Sequence, residues 1–435
     1  MYNMTILGLC NLLAPGLWTA MNSLGAGGSQ SPQLVNAANA ATFCLMVVSC
    51  YFSTAIVHYI GIKYALSLGT IGYAPYAAGL YLNNRYGVEW LVLLGAVLCG
   101  ISAGLFWAVE AAIAIAYPEP WNKGRALGWW LTFRLMGQVL GGAINLGLNA
   151  DRNEAGQVSY AVYLVFVTLQ ALGLVVSFLL TPPAKVERRD GVKVSLAILD
   201  RPWREMKATA KNFLRPQFLF DLAVDRAGSL RGGLWFSVRA RALGSFLGGV
   251  VGILAGNAAG AWLDNSRLSV KTRGRYAFWF FTLASGAWCI WATVLTSRFR
   301  VTQPTYDWAS PGFAGAFAVY ILLNAAFQVN YLYLYFMISH IANGESEVLR
   351  FAALLRGTES AWQAVSYGLT SLTLFAQVGG VYFNLVLWAF SIYPAWLVVR
   401  GFGSGATKTR QVDQEEAVQD IPSDKSDIKG PETTS

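Results

Sequence analysis

Charge is scarce in this sequence. Asp, Glu, Lys and Arg make up 13% of its 435 residues, about half the roughly 25% of a soluble domain, which is too little to cover a water-facing surface of that size. Histidine is scarcer still: His58 and His340 are the two present. Both fall near the ends of apolar runs, so neither a histidine-based metal site nor a Ser-His-Asp triad is expected. No phosphate loop of the Walker type occurs, which argues against ATP as a direct energy source. The five cysteines, Cys10, Cys44, Cys50, Cys99 and Cys289, all fall inside apolar runs, where burial as small apolar residues is expected in place of a disulfide framework. Together these shortages point away from an enzyme and from any cofactor.

Apolar residues are abundant instead: 55% of the chain, with 44 glycines besides and a mean hydropathy of +0.43. They come in runs of about 17 to 25 residues, long enough to cross roughly 30 Å of hydrocarbon. Eleven runs are clear, at 5–24, 35–57, 64–82, 90–116, 126–148, 159–180, 242–263, 276–296, 313–339, 357–375 and 378–399. The first has no basic leader and is followed by further spans, so a cleaved signal peptide is not expected. The fold class is therefore an all-α polytopic membrane protein, with lipid covering much of its surface.

The net charge of +9 acquires meaning only from its location. Residues 401–435 hold seven acidic and four basic residues and no aromatic after Phe402, the composition of a disordered tail. The preceding residues carry 28 Lys and Arg against 16 Asp and Glu, concentrated between the apolar runs. That is a topology signal, not a nucleic-acid footprint. Among the first six runs, alternate loops hold Lys63, then Lys123 and Arg125, then nine basic residues between Lys185 and Arg215, whereas the opposite loops hold Arg85 and Arg152. The first set, and with it the tail, is assigned to the cytoplasm. The basic stretch could also attract anionic lipid, but enforcing topology is the simpler role.

Residues 213–238 break the pattern, since Asp225, Arg226 and Arg231 interrupt an otherwise apolar segment. If the chain crosses the membrane once there, nine later basic residues fall on the cytoplasmic side against six outside and in the doubtful segment. This favours a crossing, and with it twelve helix positions of which the seventh is degenerate. The resulting division is a six-helix bundle at 1–181, a basic linker at 182–215, a second bundle at 216–400 with a degenerate first helix, and the tail. Two such bundles related by an axis along the membrane normal have the organisation of the major facilitator superfamily, although His58-Tyr59-Ile60-Gly61-Ile62-Lys63 retains little of that superfamily's basic signature.

Several stretches are more specific: NSLGAGG from Asn22, GYAPYAAGLY from Gly72, AGLFW from Ala103, the YPEP at Tyr117, GGAINLG from Gly141, SVRARALGSFLG from Ser237 and RGTESAWQAVSYG from Arg356. In these the chain resembles the fungal branch of the uncoordinated-93-like family, over nearly all residues up to about Arg400. The resemblance implies a major-facilitator fold and a role as an ion-channel regulatory or trafficking protein, or as a transporter.

Two groups of residues are candidates for function. Gly244, Gly248, Gly252, Gly256 and Gly260 recur every four residues and share one helix face, which invites close approach of another backbone; Gly137 and Gly141 form a related pair in the run 126–148. In a major-facilitator arrangement these two runs meet between the bundles, so the faces are expected to pack there, either statically or as a sliding surface. The ionisable residues inside runs are the second group. Glu110 and Arg134 lie at nearly matched depths, roughly 10 and 13 Å from one end of their spans. They are expected to pair, as a structural ion pair or as a site facing a central cavity. Glu359 and Gln363, with Arg356 one turn before, share a face near the cytoplasmic end of the run 357–375, where a gate or a snorkelling charge is expected before a substrate site. Gln138 and Asn145 add polar groups between helices, and the aromatic cluster from Tyr331 to Phe336 is expected to be a lipid or packing surface. The functional expectation is secondary transport of a small solute by alternating access, with protons or sodium as candidate coupling ions. The alternative is a non-transporting accessory protein that binds a channel or receptor in the membrane.

Overall fold

The computed structural model describes residues 1–23, 32–149, 160–186, 188, 191, 194, 196, 235–342, 345–369 and 375–401. Most of the linker, the doubtful seventh helix position and the tail lie outside the described residues, apart from the end of the seventh position at 235–238.

Why the chain breaks where it does follows from a few residues. Helix α1, Tyr2–Asn11, passes through a π-helical turn, Leu12–Gly16, into α2, Leu17–Ser23. Pro15 sits in that turn; it has no amide hydrogen to donate back, so the helix widens around it and continues. Helix α3 spans Pro32–Ile60 and stops at Gly61, which takes a left-handed φ of 78°. The single run expected at 64–82 is two helices, α4 at Ile62–Thr70 and α5 at Tyr73–Tyr86. Pro75 cannot donate to the carbonyl of Ile71, four residues back, and the chain parts there. The amide of Gly72 turns to Ser102 Oγ at 3.0 Å, and a Cβ at this position would collide with the Leu98 carbonyl.

Helix α6, Trp90–Ala116, is followed by α7 at Lys123–Asn149 and α8 at Tyr160–Ser177. In the second half lie α9, Val238–Leu263; α10, Val270–Thr302; α11, Phe313–Ile341; α12, Glu345–Leu369; and α13, Gly380–Gly401, which follows a π-helical turn at Phe375–Gly379. Before α9, Phe236 forms a bridge to Tyr306, and Ser237 caps α9 by accepting from the Ala240 amide.

Eight spans among the described residues are long and apolar enough to cross a membrane. The expected runs that fall short are the divided α4–α5 pair, α7 and α12. The start of α12 corrects the expected 357–375: the helix begins at Glu345, because Val348, Leu349, Ala352 and Ala353 are buried even though Glu347 and Arg350 interrupt their hydropathy. Arg356 therefore sits roughly 16 Å into the helix, not near its end.

Large apolar side chains cover the outside. Phe280 is 70% exposed and Phe390 77%, a surface that only lipid can cover at acceptable cost. Among the cysteines, Cys10, Cys50, Cys99 and Cys289 are buried and unpaired, but Cys44 is exposed on α3, which corrects the expectation of burial there.

In the first half, α1 and α2 pack on α7, α3 and α4 pack on α6, and α5 packs on α6 and α8; in the second, α11 packs on α9 and α10, and α10 on α13. The two halves meet through α7 against α9 and through α12 against α3 and α6.

Candidate functional site

The glycine stripe of α9 is shared between α7 of the other bundle and α11 of its own. A Cβ on Gly244, Gly248 or Gly252 would meet Tyr320, Asn324 and Gln328 respectively. These three also recur every four residues, on α11, so the stripe takes up a row of α11 side chains within its own half, while Gly248 and Gly252 also lie against Gln138 and Leu135 of α7. Gly256 has open space beside it. Gly260 too reaches α7: a Cβ on it would strike the Gly124 carbonyl, and a Cβ on Gly124 would strike that of Gly260. Gly137 is redirected, facing the backbone of Gly16 in the π-helical turn, while Gly142 takes the place against α9 at Phe246. Gly141 is buried.

One end of the interface is shut. Asp264, which follows α9, accepts hydrogen bonds from the amides of Gly124 and Arg125, both at 2.7 Å. These are first-turn donors of α7 with no partner in their own helix, so a carboxylate from one bundle caps a helix of the other. Burial nevertheless raises the pKa of Asp264, against the lowering by those amides. Lys123 Nζ donates to the Ser339 carbonyl at 2.8 Å, and α6 from Ala103 to Ala116 and α11 from Tyr331 to Ser339 are buried throughout.

Deeper in lies a cavity of about 80 Å³. Trp18, Phe43 and Met46 give it apolar walls, and Arg134 of α7 and Arg356, Glu359 and Gln363 of α12 give it polar ones. Thus Arg134, Glu359 and Gln363 line the cavity together, from opposite bundles. Glu110, Gln138 and Asn145 are not among its lining residues. Gln138 bridges the bundles instead, donating to the Ser245 carbonyl at 3.3 Å, and Asn145 is half-buried near the far end of α7.

The expected pairing of Glu110 with Arg134 does not form. Glu110 is fully buried and accepts from Trp130 Nε1 at 2.5 Å, whereas its Oε2 has no hydrogen-bond partner. Trp107, one turn before Glu110 on α6, comes between: its ring lies 3.7 Å from the Arg356 guanidinium and 5.0 Å from that of Arg134. Arg356 pairs with Glu359, whose Oε1 accepts from Gln363 at 3.3 Å. Arg134 instead rests on aromatic faces, Tyr331 at 4.9 Å and Phe327 at 6.0 Å besides Trp107, and its Nη1 is buried without a hydrogen-bond partner. The negative faces of these rings compensate part of its charge. On the other side of the cavity Phe43 stacks on Tyr367 of α12 at 5.5 Å, and Trp18 meets Phe43 edge-on at 5.9 Å.

Sequence reasoning missed Trp107 and the part of Tyr331 in this centre. Tyr331 is a packing residue, as its cluster suggests, but its face serves two guanidiniums. The spacing of Trp107 and Glu110, three apart on a helix, was the available signal.

Two packed helical halves, closed at one end around a buried polar centre to which both contribute, define a polytopic membrane protein of the two-bundle class. The chain belongs to the Major Facilitator Superfamily, whose profile matches residues 3–236. It is 37% identical to Notoamide biosynthesis cluster protein O' of Aspergillus versicolor, over 96% of this chain and 93% of that one. It is 28% identical to UNC93-like protein 1 of Arabidopsis thaliana, over 83% of this chain and 82% of that one, in keeping with the uncoordinated-93-like resemblance. Among solved structures it is similar in fold to the proton:xylose symporter XylE, with a TM-score of 0.62 and 13% identity over 93% of this chain and 95% of that one. It is also similar to the transporter FucP in the outward conformation, with a TM-score of 0.60 and 13% identity over 91% and 98%.

Proposed function

We propose that the protein is a secondary transporter that moves a small solute by alternating access through the central cavity. One observation carries this reading: Arg134 on one bundle and Arg356, Glu359 and Gln363 on the other line the same cavity, so a solute bound there touches both halves and its binding is sensitive to how they rock. The shut end carries Lys123, Arg125, Arg267, Lys271, Arg273 and Arg275, and the positive-inside rule places it in the cytoplasm. Protons and sodium are the coupling ions to test, as a proton-coupled relative in fold suggests.

The test is uptake into liposomes holding the purified protein, under an imposed proton or sodium gradient, with R356Q as control. Gradient-dependent uptake of a solute by the wild type, reduced at least tenfold by R356Q at equal incorporation, supports the reading. A folded, oriented protein that moves no solute overturns it in favour of an accessory protein. That second reading draws on a groove of about 590 Å³ between α9, α10 and α11. Alanines such as Ala255, Ala259 and Ala325 line it together with Trp262, Phe280 and Trp288, an apolar surface against which a partner's helix could pack.

A further inference from the structure

The polar centre has an internal charge account that selects a class of solute. Four ionisable groups dominate it: Glu110, Arg134, Arg356 and Glu359. With both carboxylates ionised their charges cancel, which suits a site removed from water. The partners, however, are unevenly distributed. Arg356 and Glu359 are paired and Gln363 engages the remaining oxygen of Glu359, so Glu359 has both oxygens engaged. Arg134 and Glu110 have no such pair: Arg134 has aromatic faces but a buried Nη1 with no acceptor, and Glu110, beside Asn11, has a buried Oε2 that accepts no hydrogen bond.

We infer that the cavity takes a small monoanion with a short apolar body, its anionic group on Arg134, and that Glu110 takes up one proton as the anion binds. This rests on the cavity being the solute site proposed above. The anion supplies the acceptor that Arg134 lacks and sets its body against Trp18, Phe43 and Met46, which line the cavity beside Arg134. Where Glu110 is ionised, the anion also adds one negative charge to a centre that was neutral. A proton from water, bonding to Glu110 Oε2, restores neutrality; Glu359, with both oxygens engaged, is the poorer recipient. No other bond is made or broken. The other titratable groups in electrostatic reach of Glu110 are Cys10 of α1, Tyr73 of α5, Arg134 of α7, Tyr335 of α11 and Arg356 of α12, with Cys50 of α3 beside Arg356. The thiols and phenols among them are neutral in this setting, so Glu110 is the group left to balance the account.

The experiment uses purified full-length protein and three probes of similar small size: methanesulfonate, which remains anionic at every working pH, neutral methanesulfonamide, and cationic tetramethylammonium. Binding is read from tryptophan fluorescence and proton uptake from a weakly buffered pH indicator. The expected result is binding of the sulfonate at least tenfold tighter than of the other two, with one proton taken up per sulfonate at pH values where Glu110 is ionised before binding. Affinity should fall about tenfold per pH unit above the titration of Glu110, as one-proton linkage requires. E110Q, with no charge to balance, should bind the sulfonate without proton uptake or pH dependence. R134Q should lose at least tenfold in affinity, and R134K, which keeps the charge, should retain the anion preference; thermal melts establish that each variant is folded. Equal affinity for the three probes, binding of none, unchanged affinity in R134Q, or proton uptake that persists in E110Q overturns the inference. The two readings fail separately. Uptake of a neutral or cationic solute by liposomes would leave the transporter standing without this inference, and sulfonate binding without translocation would leave the anion site standing without the transporter.

Discussion

At the scale of single residues, the molecule shows two ways of holding a charge, one in its low-dielectric centre and one at its solvent-facing rim. In the centre, the Trp107 ring lies against two guanidiniums at once, so like charges are held near one another by the negative face they share. At the far rim, Arg239 and Asp307 use a direct pair: Arg239 Nε and Ser237 Oγ both donate to Asp307 Oδ1 at 2.7 Å, and the guanidinium also stacks on Trp308 at 4.7 Å. The Arg239 hydrogen bond, then that from Ser237, hold the Asp307 pKa down to about 2, against roughly 3.9 in an unfolded chain. A depressed carboxylate stabilises the fold fully above its unfolded pKa, and that contribution is lost as pH falls through the folded value. The contribution of Asp307 is thus complete above about pH 4 and gone near pH 2. D307N should lower the melting temperature at pH 6 by about one degree, the scale of an exposed pair, and should remove part of the acid destabilisation between pH 4 and 2. Melts of both proteins across that range check it; parallel pH curves would contradict it.

At the scale of elements, how much the sequence revealed depended on where charge falls. Helix α6 has the bounds expected from hydropathy, 90–116, because its one internal charge, Glu110, sits within an otherwise unbroken apolar run. The expected start of α12 was displaced by twelve residues, because Glu347, Arg350 and Arg356 look like a loop to a hydropathy window, while the buried residues between them require a helix. Arg134, Glu359 and Gln363 were legible as site residues, since a polar group in a span must be compensated somewhere. Their aromatic neighbours were not, since Trp107 and Tyr331 in an apolar run read equally well as lipid-facing. Nor could spacing reveal that Gly137 faces Gly16, a contact that depends on the widened turn at Pro15. The glycine face itself can be dissected. In G260A the new methyl must displace the Gly124 backbone, so a loss of about 1–3 kcal/mol is expected. In G256A there is no atom to displace, and the gain in helix propensity of up to about 1 kcal/mol should leave stability unchanged or raised. Thermal melts in one detergent would compare the two; equal losses would sink the assignment of the close contact to Gly260.

At the scale of the whole molecule, the bundles are held at one end by a capping carboxylate and a lysine, and in the middle by a shared polar centre. The cap is the simpler to release. Replacing Asp264 by Asn keeps the size of the side chain and removes its charge, so one of the two α7 amides loses its acceptor and the favourable interaction with the helix dipole goes as well. The expected outcome is a larger population opened at that end, by roughly fivefold for a change near 1 kcal/mol. Spin labels at Arg125 and Asn265, on opposite bundles, would show it as a longer component in the distance distribution; an unchanged distribution would assign closure to the packing of α7 on α9 alone.

The meshing of α11 side chains into the glycines of α9 has a mechanical consequence. Teeth set four residues apart allow no partial slip: the two helices stay in register or jump by a whole step of roughly 6 Å. Small thermal shear is thereby suppressed, and α9 and α11 act as one stiff beam. A push delivered at Asp264 then arrives at Tyr320, near the opposite rim, with little lost on the way, so freeing one end of the beam is felt at the other.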